Sequence, residues 1–181
     1  LSISGTSPLK ILLPLEPRQI YDAGFLPAYG AVAGGGRLAV GLSGGRMVGL
    51  DPAGGKRVWL TRLPGLSEMS AGPALGGGRI FVSTSGSSFI ALDAAEGSLL
   101  WQARTAVPCQ VRPLCAPGGD VFAAGGNDIH RFAAADGRLL WRTRLGGELE
   151  GGMVAFKGAL CLPLSTGRIA VVDQDSGSRI Q

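Results

Sequence analysis

The sequence predicts an all-β fold: a β-propeller of four-stranded antiparallel blades, about four of them, forming a partial or half ring. Three observations predict it. Glycine supplies 31 of 181 residues, about 17% against a usual share of about 7%. The chain is nevertheless 45% apolar and only 17% charged, so it holds core-building material as well as turn formers. Tryptophan recurs at Trp59, Trp101 and Trp141, and four residues before each stands Gly55, Gly97 or Gly137; one more step of 40 residues reaches Gly177. A period of about 40–45 residues made of short strands is that of a propeller blade. Helical and leucine-rich repeats are disfavoured, because no 3.6-residue apolar period is sustained and glycine breaks helices.

The elements follow in chain order. Residues 1–27 contain no tryptophan and carry Pro14, Pro17 and Pro27, which predicts an extended arm. Its stretch Leu9–Leu15 is a candidate donated outer strand for the last blade. Four blades are expected at about 28–65, 66–107, 108–147 and 148–181. The second is the plainest, with strands at Ala71–Leu75, Arg79–Ser83, Ser88–Leu92 and Leu99–Thr105. Turns are expected at Gly76-Gly77-Gly78, Ser85-Gly86 and Asp93–Gly97.

Further registers agree across the copies. Eight residues before each tryptophan come Asp51, Asp93 and Ala133, and the fourth copy has Asp173. Leu50, Leu92, Phe132 and Val172 precede these, and Met47, Phe89, Ile129 and Ile169 lie three residues earlier still. Glycine at the repeated position permits a positive backbone dihedral in a tight turn. The aspartate can accept backbone N–H bonds across that turn, and the tryptophan offers a flat face to fill the space between blades. Gln181 stands where a fourth tryptophan is expected.

The run Ala91-Leu92-Asp93-Ala94-Ala95-Glu96-Gly97-Ser98-Leu99-Leu100-Trp101 resembles the tryptophan-docking motif of the quinoprotein (PQQ-type) propeller repeat family. Copy one matches through Gly49, Asp51, Gly55 and Trp59. Copy three keeps Gly137 and Trp141 but has Arg131 and Ala133 where the family favours Ala and Asp. Copy four has Val171, Asp173, Gly177 and Gln181. The resemblance runs from about Gly30 to Gln181. It implies one of several roles: a quinone-dependent alcohol or glucose dehydrogenase, a BamB-like scaffold for outer-membrane assembly, or a sensor domain. Such rings usually close with seven or eight blades, which implies a half ring, a fragment or one partner of a homo-oligomer that completes the ring. A four-blade ring closed by the donated strand is the alternative. Many relatives are exported, so a periplasmic or extracytoplasmic location is implied.

The chemistry expected of this sequence is sparse. The dehydrogenases resembled here bind their quinone on the ring axis with calcium and carry an adjacent-cysteine disulfide, and this chain has no Cys-Cys pair. Cys109, Cys115 and Cys161 cannot all pair within one chain, CxxC is absent, and His130 is the only histidine, which disfavours zinc. Asp51, Asp93, Asp136, Asp173 and Asp175 sit at turn positions. The glycine triplets lack the lysine and helix of a phosphate loop. No catalytic residue, cofactor or metal is expected. With a formal net charge of +4 and no basic run longer than Lys56-Arg57, a nucleic-acid partner is not expected either. No apolar stretch reaches the roughly 18 residues of a spanning helix.

Two features point to protein partners. Arg62, Arg104 and Arg144 each lie three residues after a tryptophan. They serve either as charge protection of an exposed strand edge or as a basic rim for an acidic partner. The polar run Asn127-Asp128-Ile129-His130-Arg131 makes copy three the odd blade and adds His130 and Arg131 to the candidate rim. Loops Ala28-Tyr29-Gly30, Ser70-Ala71-Gly72-Pro73 and Leu149-Glu150-Gly151-Gly152 are expected on one face near the axis, where rigid scaffolds bind partners. The sequence therefore reads as a non-enzymatic scaffold contacting other protein subunits. The alternatives are a portion of a quinone-dependent dehydrogenase and a ligand-sensing domain.

Overall fold

The computed structural model describes residues 20–116 and 118–180. The candidate strand Leu9–Leu15, most of the expected arm, and Gln181 lie outside the described residues. The first blade comprises β1 (Val32–Gly34), β2 (Arg37–Leu42), β3 (Arg46–Asp51) and β4 (Lys56–Arg62). The second comprises β5 (Ala74–Gly76), β6 (Arg79–Ser83), β7 (Ser88–Asp93) and β8 (Leu99–Arg104). The third comprises β9 (Leu114–Cys115), β10 (Asp120–Gly125), β11 (Asp128–Ala133) and β12 (Leu139–Arg144). The fourth has β13 (Val154–Phe156), β14 (Ala159–Pro163) and β15 (Ile169–Asp173). Each is an antiparallel meander in which consecutive strands are neighbours.

Beside β15 an outer strand begins: Val172 bridges Arg179, and the Ile180 N–H donates to the Val171 carbonyl at 2.9 Å. Among the described residues no backbone pairing joins the first sheet to the fourth. The inner strand of the second blade starts later than the expected Ala71, because Pro73 has no N–H to give a ladder and the preceding residues form the crossing loop instead.

The core lies between blades. Side chains alternate along a strand, so on β6 Ile80 and Val82 join the first blade's cluster while Phe81 joins the third's. With both faces covered, these strands read as unbroken apolar runs. Phe81, Phe89, Trp101 and Phe132 interlock between blades two and three, with Phe89 and Phe132 ring centroids 5.2 Å apart. Phe122, Trp141, Leu160, Leu162 and Val172 fill the space between blades three and four. Burying each such side chain contributes about 1.5–3 kcal/mol.

The outer strands carry one repeated irregularity. The ladder shifts register between Gly49 and Leu50, between Ala91 and Leu92, and between Arg131 and Phe132. Each shift lies directly beside the residue paired with a tryptophan: Gly49 with Trp59, Ala91 with Trp101, Arg131 with Trp141. A bulge bends and twists the strand locally. Here it sits where the indole turns out of its own blade.

Candidate functional site

Each tryptophan reaches the next blade. The Trp59 indole Nε1–H donates to the Ala94 carbonyl at 3.2 Å, Trp101 to Ala134 at 2.9 Å, and Trp141 to Gln174 at 3.0 Å. The ring then covers the glycine of that turn. A Cβ on Gly97 would stand 2.4 Å from Trp59, one on Gly137 2.5 Å from Trp101, and one on Gly177 2.7 Å from Trp141. All three glycines have φ between +71° and +74°, so dihedral and contact both demand glycine. A second bond accompanies two of the junctions: Thr61 and Thr143 donate their hydroxyls to the Gly97 and Gly177 carbonyls, both at 2.6 Å. The equivalent residue in blade two is Ala103, which has no hydroxyl to give.

The turn aspartates are engaged locally. Asp93 Oδ1 accepts the N–H of Ala95 at 2.8 Å and of Glu96 at 2.9 Å, and Asp51 accepts that of Ala53 at 3.0 Å. Asp173 accepts from the Ser176 N–H and hydroxyl, which hold its carboxyl below the usual carboxylate range. In copy three Ala133 has no carboxylate, and Asp136 accepts from Arg138 N–H at 3.0 Å instead. The backbone of the turn is kept there, with the Gly137 N–H donating to the Ala133 carbonyl at 2.9 Å.

The departures in copy three form an inter-blade clamp. Arg131 takes the position of Gly49 and Ala91 opposite the tryptophan and extends towards blade four. Its Nε and Nη2 donate to Asp120 Oδ2 at 2.9 and 2.6 Å. Its Nη1 reaches the Gln174 carbonyl at 2.7 Å, the Asp175 carbonyl at 3.0 Å and Asp175 Oδ1 at 3.1 Å. Asp128, buried, is gripped by both Nε and Nη2 of Arg142 at 3.0 Å each, and that bond lowers its pKa.

His130 is not a rim residue: it is 2% exposed, stacked on Phe132 with centroids 5.9 Å apart. β-strand alternation turns it inward towards blade two, and burial pushes its imidazole pKa down. Among the described residues neither ring nitrogen has a hydrogen-bond partner. Arg131 likewise is an interior clamp and not a free rim charge. The expected rim separates into these two embedded groups and three exposed arginines.

Arg62, Arg104 and Arg144 end β4, β8 and β12, and all three are exposed. Among the described residues none of them forms a salt bridge. Arg62 pairs across the ladder with Arg46, a like-charge arrangement that would repel. Arg46 avoids it by folding back onto the Ser43 and Gly44 carbonyls and lying 4.3 Å over the Phe25 ring. The crossing loops are also linked blade to blade: the Tyr29 hydroxyl donates to Met69, Ser70 to Cys109, and Arg112 to Pro73.

A cavity of about 430 Å³ opens along the inner strands, lined by Ala74, Leu75, Arg112, Leu114, Cys115 and Met153 among others. It offers a guanidinium and a thiol, and its lining holds no carboxylate or imidazole. Burial pushes the Cys115 thiol up to about 11, and Cys109 likewise to about 11, which keeps both protonated at neutral pH and unreactive as nucleophiles. All three cysteines are free. Among the described residues no group of three His, Cys, Asp or Glu side chains is placed to hold a metal ion.

Known proteins share this fold. The family model described as Outer membrane protein assembly factor BamB matches residues 15–126 and again 112–180. The chain belongs to this BamB-type family of quinoprotein-like propeller repeats. No curated protein matches its sequence. Among solved structures, BamB from Moraxella catarrhalis superposes with a TM-score of 0.77 at 22% identity, over 89% of this chain and 54% of that one. Quinohemoprotein alcohol dehydrogenase from Comamonas testosteroni gives a TM-score of 0.69 at 18% identity, over 86% and 34% of the two chains. A europium-containing methanol dehydrogenase gives 0.68 at 14% identity, over 84% and 40%. The chain thus spans about half the length of the BamB structure it resembles. At these identities the likeness establishes the fold, and a fold does not fix a function. Among the described residues no helix is long and apolar enough to cross a membrane.

Proposed function

We propose that this chain is a non-enzymatic propeller scaffold that binds other protein subunits, as part of or assembly factor for an envelope or membrane-associated complex outside the cytoplasm. One observation carries the reading. The turn carboxylates accept local N–H bonds, whereas Arg62, Arg104 and Arg144 project exposed from three consecutive outer strands and form no salt bridge among the described residues. A regularly spaced row of exposed guanidinium groups on a rigid frame suits an acidic protein surface, because arginine binds carboxylates in a bidentate fork. Membership of the BamB-type family supports the same role and the extracytoplasmic location.

The test is cross-linking of the chain in an envelope preparation, compared with the triple variant R62E/R104E/R144E. The reading expects one recurrent set of protein partners that the variant loses while its melting temperature holds. Partners retained in full by the variant would overturn the rim as the binding surface, and their absence from the wild type would overturn the scaffold.

The structural likeness to quinohemoprotein alcohol dehydrogenase supports a second reading, that the chain is a portion of a quinone-dependent dehydrogenase. Titration with the quinone and calcium separates the two. A saturable absorbance change with dye reduction favours the enzyme, and a flat titration favours the scaffold.

A further inference from the structure

We propose that the outer edge of blade one, β4, receives an extended acidic segment of a partner protein as an added antiparallel strand. The inference rests on the scaffold reading and deepens it by naming the docking edge and the form of the partner. β4, β8 and β12 are the outermost strands of their sheets, and a strand edge is a template for pairing unless it is protected. The three edges differ in that protection. On β12 the Arg144 carbonyl accepts Arg179 Nη2 at 2.6 Å, and the Arg142 guanidinium is held by Asp128. On β8 the Gln102 amide donates to the Ser88 hydroxyl at 2.9 Å, and Arg104 is the only cation. β4 carries Lys56, Arg57 and Arg62, all exposed, and among the described residues none of them forms a salt bridge. Lys56 lies across the ladder from Asp51, whose Oδ1 accepts the Ala53 N–H.

The backbone of β4 is open on the same side. The Leu63 N–H donates to the Gly45 carbonyl within the blade, and peptide groups alternate in direction along an antiparallel strand. Leu60 and Arg62 therefore turn their N–H and C=O groups outward, and among the described residues no further strand pairs with them. Val58 and Leu60 remain 44% and 40% exposed with Tyr21 and Ala23 packed on the neighbouring Val48 and Leu50. Leu100, at the position of Val58 in blade two, is also 44% exposed with blade one beside it, and Gln102 at the position of Leu60 is exposed too. This exposure belongs to the rim of the propeller and is not made by an open blade face.

The ladder names the occupant. Arg57, Leu60 and Arg62 pair with Leu50, Val48 and Arg46, so the bulge restores a two-residue period and sets all three on one face. An added strand brings its own peptide groups to Leu60 and Arg62. Opposite charges on neighbouring strands stabilise the pair and like charges repel. The partner strand therefore presents a carboxylate, an apolar side chain and a carboxylate at alternate positions. Main-chain bonds hold such a strand, and the alternate side chains select it.

Amide NMR of the 181-residue chain, titrated with the blocked peptide Thr-Glu-Thr-Val-Thr-Glu-Thr, tests it. Saturable shifts and slowed hydrogen exchange are expected at the Leu60 and Arg62 amides, with smaller effects at Gln102 and Arg104. Leu60→Pro removes one outward N–H and spares the ladder within the blade, because proline is tolerated on a sheet edge. It should weaken the peptide about tenfold or more with an unchanged circular dichroism spectrum. The peptide N-methylated at its valine keeps every side chain and should fail likewise on the wild type, a result that does not depend on how L60P folds. No binding, unchanged exchange at Leu60 and Arg62, or undiminished affinity of the N-methylated peptide would each overturn the proposal. Binding to phosphatidylglycerol vesicles in place of the peptide would assign the edge to a lipid surface and overturn it too. Protein partners kept by L60P and lost by R62E/R104E/R144E would remove the added strand and leave the scaffold reading in place.

Discussion

Trp59 in the first blade is held by Gly97 in the second: its ring lies over the glycine's α-carbon while its indole N–H donates to the nearby Ala94 carbonyl. The two residues are separated by a crossing loop and three strands, yet each fixes the other's identity. Gly97→Ala adds a methyl 2.4 Å from the ring and forces a non-glycine residue to φ +71°. A left-handed backbone alone costs about 1–3 kcal/mol. Thermal denaturation of G97A should therefore show a clear loss of stability. An unchanged midpoint would mean that the tryptophan does not hold the blades together.

Ala103 marks the one junction lacking a hydroxyl bond. Ala103→Thr places a donor where Thr61 and Thr143 reach the next turn's glycine carbonyl at 2.6 Å. A net hydrogen bond contributes about 0.5–1.5 kcal/mol, and stability should rise by about that amount in urea denaturation. Loss of stability would show that the space beside Trp101 is already filled.

Arg131 reaches blade four through three hydrogen bonds, to the Gln174 and Asp175 carbonyls and the Asp175 carboxylate, and is anchored in its own blade by two to Asp120; its removal leaves all of these acceptors without that donor. Breaking a partly buried charged hydrogen bond costs about 1–3 kcal/mol. Arg131→Ala should lower stability in that range, and Arg131→Lys should recover little, because a single ammonium cannot make both the Asp120 fork and the reach to blade four. Recovery by lysine would show that charge alone matters. Limited proteolysis should cut R131A first within residues 148–180.

His130 confers a pH dependence on the blade-two to blade-three junction. Burial lowers its folded pKa below the unfolded value of 6.5, so the unfolded chain takes up the proton first as pH falls. Its contribution is therefore fully present above about 6.5 and is lost as the pH drops through that value towards the folded pKa. Asp128 beside it has the opposite charge type and titrates below 3.8, outside this window. Denaturation midpoints of the wild type should fall between about pH 7 and pH 5, the range in which histidine changes charge, and those of His130→Leu should fall less. Parallel profiles would assign the slope elsewhere.

The repeat was legible because one position per blade is fixed by two independent demands, a positive φ and a ring overhead, so glycine and tryptophan keep their spacing while neighbours vary. The turn aspartates were legible for a similar reason, their partners being two or three residues away. Arg131 was not, since its acceptors Gln174 and Asp175 lie 43 and 44 residues on, and only its bulk at a small-residue position hinted at a role. His130 was placed on the rim because its run is polar, but strand alternation turns it inward. The threonines two residues after Trp59 and Trp141 were not legible, because Ala103 breaks their register in copy two.

Every tryptophan staple points forward, from blade n to blade n+1, with acceptors 33 to 35 residues later in the chain. Assembly therefore has a direction. During synthesis each finished outer strand presents a bare indole until the turn that receives it leaves the ribosome, so a pause or truncation at a blade boundary exposes that ring and the apolar blade face around it. Loss of the last blade uncovers Trp141 and leaves the staples of Trp59 and Trp101 in place, so damage at the C-terminal side is confined to a single joint.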